Sequence, residues 1–65
     1  MAEYPNYVVH FYFDDKFKTT VSTEASRTET ALIIALNELL TKTNIVANSY
    51  IIYDIDNRTT HRGNF

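Results

Sequence analysis

The chain has no cysteine and no tryptophan, and only one glycine and one proline among its 65 residues. Without cysteine neither a disulfide framework nor a thiolate metal site can stabilise so short a chain. Its length leaves room for one domain and one core, near the lower limit for a fold held by its core alone. No apolar stretch approaches the roughly 18 residues that span a bilayer. The opening Met-Ala-Glu-Tyr-Pro has no basic segment followed by an apolar run, so no secretory signal is expected and the expected location is the cytoplasm. Concentrated positive charge is missing too. Six basic against eight acidic residues give a net charge of −2, which argues against nucleic acid as the main partner.

Apolar side chains are plentiful instead, at 45%, with 14% aromatic, as in a globular domain. Their pattern yields three strands and a helix. The first strand, about 7–13, reads YVVHFYF. A strand's side chains alternate between faces, so Tyr7, Val9, Phe11 and Phe13 share one face and Val8, His10 and Tyr12 the other. After Asp14-Asp15, the run at about 17–25 alternates with threonines suited to an edge strand. Ser26-Arg27-Thr28-Glu29 has the spacing of a capping box, which predicts a helix over about 27–43. Leu32, Ala35, Leu36, Leu39 and Leu40 form its apolar face, with Ile33 at the margin. A third strand is expected at about 49–56 and a mobile tail over about 57–65.

The expected fold is a two-layer α+β domain of order β-β-α-β. A right-handed crossover places the third strand beside the first, giving a three-stranded antiparallel sheet of order 2-1-3 with the helix on one face. The most apolar strand is then central.

No arrangement of residues argues for catalysis. The two histidines, His10 and His61, are far apart in sequence, and no nucleophile is paired with a base and an orienting group. No metal site is expected. Starting a calcium loop at Asp54 puts Thr59 where glycine belongs and Phe65 where glutamate belongs. No cofactor motif is present, so the function expected is non-enzymatic.

What stands out is the face turned away from the helix. If Tyr7, Val9, Phe11, Phe13, Phe17, Val21, Ile51, Tyr53 and Ile55 meet the helix, the opposite face carries Val8, His10, Tyr12, Tyr50 and Ile52. The alternative register of the third strand buries Tyr50 and Ile52 and exposes Ile51 and Tyr53. In either register an aromatic and an isoleucine join Val8, His10 and Tyr12 in a patch with the composition of a protein-binding surface. Ile34, opposite the helix's core face, is a candidate second contact. A histidine buried in such a contact would make binding sensitive to pH. Closure of the patch on a second copy, as a homodimer, is the alternative. Stacking of single-stranded nucleic acid on its rings is the third use available to it.

The hairpin, the passage FKTTVSTEASRTETALIIAL and the closing YIIYDIDNR resemble small proteins that bacteriophages make to disable host machinery, such as the T7-type inhibitors of host RNA polymerase. The resemblance spans Tyr7 to Arg58 and assigns no functional residue. It implies a host protein as partner and inhibition or modulation as the effect.

Overall fold

The computed structural model describes residues 5–65. Strands β1 (Asn6–Phe13) and β2 (Lys16–Glu24) form a hairpin, helix α1 (Thr28–Lys42) crosses over, and β3 (Ser49–Asp54) and β4 (Thr59–Asn64) form a second hairpin. All neighbours are antiparallel in a single sheet of order β2-β1-β3-β4. The α+β class, the single helix and the central place of β1 agree with the sequence. The strand number does not: what reads as a mobile tail is a fourth strand.

That strand is hidden by its composition, TTHRGN. The helix packs on β2, β1 and β3 and does not reach β4, so nothing there demands an apolar alternation. Backbone pairing with β3 holds β4, in register from Ser49↔Asn64 to Asp54↔Thr59. Gly63 is required where it stands. The Tyr50 ring lies across it, and a Cβ at this position would sit 2.5 Å from Cζ of Tyr50 and overlap its hydroxyl oxygen.

The first hairpin turns through Asp14 and Asp15, both with positive φ (50° and 66°), the type I′ geometry that suits the right-handed twist of the strands. Asparagine and glycine adopt it more readily, and here Asn48 holds it. Its Oδ1 accepts from the Asp14 N–H at 3.2 Å, and its Nδ2 donates to the Asp14 carboxylate at 3.1 Å. The Asn48 N–H also donates to the Tyr12 carbonyl, and its carbonyl accepts from Phe65. One side chain and its backbone thus tie the turn, β1 and the end of β4 together.

Core packing rests on Tyr7, Val9 and Phe11 of β1, Ile52 of β3, Ala25, and Ala31, Ala35 and Leu39 of the helix. The helical positions fall at i, i+4 and i+8, a face centred on Ala35. The face expected from the leucines lies about 70° further round, at 100° per residue. Two alanines explain the difference, because their small side chains let the helix settle close to the sheet. Leu32 and Leu36 become flanks, while Leu40 (71%) and Ile33 (67%) remain exposed. The helix N-cap is Arg27, with no side-chain cap bond. Ser26 stands one residue too early, so the expected capping box does not form. At the other end the Thr43 hydroxyl donates to the Leu39 carbonyl (2.7 Å) and accepts from the Ile45 N–H (3.2 Å), closing the last turn.

Candidate functional site

The face of the sheet opposite α1 has no layer over it among the described residues. Its membership follows from register. Val9 pairs with Ile52 and His10 with Ile51, so Tyr50 and Ile52 share the covered face with Val9 and Phe11. The expected placement of Tyr50 and Ile52 on the open face is therefore overturned. Ile52 is buried, and Tyr50 packs against the core and lies 5.2 Å from the Phe65 ring. Ile51 and Tyr53 take their places. Val8, His10 and Tyr12 lie on the open face as expected.

Phe17 joins them through a bulge. The β1–β2 ladder passes from Phe11↔Thr19 to Tyr12↔Phe17, leaving Lys18 without a partner. That extra residue moves Phe17 from the helix side, where simple alternation places it, to a position beside Tyr12. Phe13 and Ile55, also expected against the helix, are exposed at the strand ends.

The result is a continuous run of rings across three strands. Tyr12 and Phe17 have centroids 5.9 Å apart and meet edge-to-face, Phe17 and His10 are 5.4 Å apart, and His10 and Tyr53 are 4.9 Å apart, again edge-to-face. These spacings are those of favourable aromatic pairs. The rings shield one another, which leaves most of them half-buried, while Phe17 stays 55% exposed. The Thr20 hydroxyl lies 3.5 Å from His10 Nδ1. Ile34, the candidate second contact, lies on the opposite side of the molecule, on the helix. It is less exposed than its neighbour Ile33.

At one corner of this face is a cleft of about 470 Å³ lined by Tyr12, Asp15, Ser49, Ile51, Arg62 and Asn64, with Tyr50 and Gly63, whose register is that of the covered face, behind. Arg62 pairs with Ile51 across the ladder and so belongs to the open face. From the sequence it belonged to the expected tail, and only the pairing of β4 with β3 fixes it on this face.

Asp54 and Asp56 serve the loop between β3 and β4. Asp54, buried on the covered side, accepts from the Asn57 N–H (3.1 Å) and from Asn57 Nδ2 (2.8 Å). The Asn57 side chain is the main cause that holds the Asp54 carboxyl below its ordinary range, with burial opposing it and the Asn57 and Asp56 backbone and nearby His61 assisting. Asp56 accepts from the Asn6 N–H at 2.6 Å. Asp54 and Asp56, where the calcium-loop spacing fails in the sequence, thus hold the backbone of neighbouring loop and strand-end residues. Among the described residues no group of three or more His, Asp or Glu side chains converges on a metal-sized space. No helix among them is long and apolar enough to cross a membrane.

Comparison with protein-family models, with curated proteins and with solved structures returned no match.

Proposed function

We propose that the chain is a small non-enzymatic protein-binding module that docks its open sheet face on a larger protein and modulates it. The observation that carries this is the unbroken run Tyr12–Phe17–His10–Tyr53 on a face with no layer over it among the described residues. Val8 and Ile51 fill the spaces beside the rings, and threonine and serine from β2 form a polar border. Rigid aromatic side chains with a polar rim are the composition that dominates interface energies. Docking buries the rings while the tyrosine hydroxyls keep hydrogen-bond partners at the periphery. The resemblance to phage host-takeover proteins supports a host protein, met in the cytoplasm, as the partner and modulation or inhibition as the effect.

The test begins with solution mass, measured by light scattering over a range of concentrations. A monomer that captures one defined host protein, with affinity falling at least about tenfold in Tyr53→Ala at unchanged helicity, supports the proposal. A stable dimer that Tyr53→Ala converts to monomer replaces it with self-assembly. Binding of single-stranded oligonucleotides with a steep salt dependence replaces it with nucleic-acid recognition.

A further inference from the structure

We propose that the corner cleft is the anchor point of the open face and receives a carboxylate side chain of the partner protein with an apolar residue beside it. This rests on the open face being a protein-docking surface, and it specifies what the partner presents. Arg62 is the only basic residue that strand register places among the paired positions of the open face. Among the described residues the one ion pair is Glu38–Lys42 on the helix, at 3.5 Å. No carboxylate of the described residues therefore lies within ion-pair distance of Arg62, although the chain as a whole is acidic. The planar fork of a guanidinium matches the two oxygens of a carboxylate.

The rest of the cleft has complementary chemistry. Ile51 offers an apolar wall beside Arg62, and Tyr12, Ser49 and Asn64 add hydroxyl and amide donors. A volume of about 470 Å³ is that of a small-ligand site. It accommodates an acidic side chain and its apolar neighbour together. Asp15 lines the cleft as well and disfavours a carboxylate on its own side. It also gives the cleft one positive and one negative group, too balanced for a phosphate backbone, whose binders neutralise several charges at once. Carboxylate on protein is the anion this arrangement suits.

The experiment is an amide-resolved NMR titration with three probes: the acetylated, amidated tripeptide Leu-Glu-Leu, its Leu-Lys-Leu counterpart, and inorganic phosphate. The acidic peptide is expected to shift the amides of Tyr12, Ser49, Ile51, Arg62, Gly63 and Asn64. The lysine peptide, and the acidic peptide on Arg62→Gln, should bind at least about tenfold more weakly, the scale of one charge-assisted hydrogen bond. Arg62 is exposed, so Arg62→Gln should keep the wild-type spectrum elsewhere. Equal shifts from both peptides, shifts that survive Arg62→Gln, or stronger shifts from phosphate would overturn the proposal. Capture of the host partner separates the two levels. If Tyr53→Ala abolishes capture and Arg62→Gln leaves it unchanged, the anchor fails and the docking face stands. If neither substitution changes capture, both fall.

Discussion

The two faces of the sheet are built from nearly the same residue types and have opposite fates. On β1 the covered face carries Tyr7, Val9 and Phe11, all buried, and the open face carries Val8, His10 and Tyr12, all half-buried. On β3 each face receives one tyrosine and one isoleucine. The difference lies in what is laid against them: Ala31, Ala35 and Leu39 on one side, and nothing among the described residues on the other. Hydrophobicity along a strand therefore states how much surface wants cover. It does not state where the cover comes from.

Substitution in the two faces should separate them most widely. Phe11→Ala removes a fully buried ring and should cost about 3–5 kcal/mol in urea-induced unfolding, enough to threaten a domain this small. Tyr12→Ala, its neighbour on the open face, should cost less than about 1.5 kcal/mol, the scale of an aromatic pair. If the two cost the same, the open face is itself a core, closed by another copy of the chain. A smaller effect is expected at Gly63. A methyl group there drives into the Tyr50 ring, and Gly63→Ala should lose about 1–3 kcal/mol. In a Tyr50→Ala background most of that loss should disappear, because the two positions are in contact. The smallest effect is acid sensitivity of the covered face. Asp54 has a folded pKa below its unfolded value of about 4, so its contribution is present above that value and is lost as pH falls through the folded one. Asn57→Ala removes the main cause, and the slope of stability against pH below about 4 should flatten. An unchanged slope would mean that other carboxylates account for it.

The sequence revealed the fold's outline because alternation in YVVHFYF and the helical period of TALIIALNELL are strong and local. It revealed half of the open face for the same reason. The other half was obscured by three identifiable features. Tyr50-Ile51-Ile52-Tyr53 is a palindrome, so either register leaves one ring and one isoleucine outside, and only pairing with β1 decides which. Lys18 carries no mark of being a bulge, yet it moves Phe17 across the sheet. Asn57-Arg58-Thr59-Thr60 looked like the start of a tail, although Asp54 and Asn57 form a side-chain-stabilised turn and Arg58 adopts positive φ (56°) to complete the hairpin. Leucines likewise outweighed alanines in the expected helix face, whereas close approach to a sheet favours the smaller side chain.

The strand order β2-β1-β3-β4 also has a consequence for how the chain is made. The central strand is the first to leave the ribosome, and each later strand adds to an edge that already exists: β2 on one side, β3 on the other, β4 outside β3. No strand has to be inserted between two that have already paired. The slow step is then the return of β3 across the helix to β1, the longest loop the chain must close before its sheet can grow. Until it returns, the second edge of β1 and both of its apolar faces remain exposed to any other strand nearby.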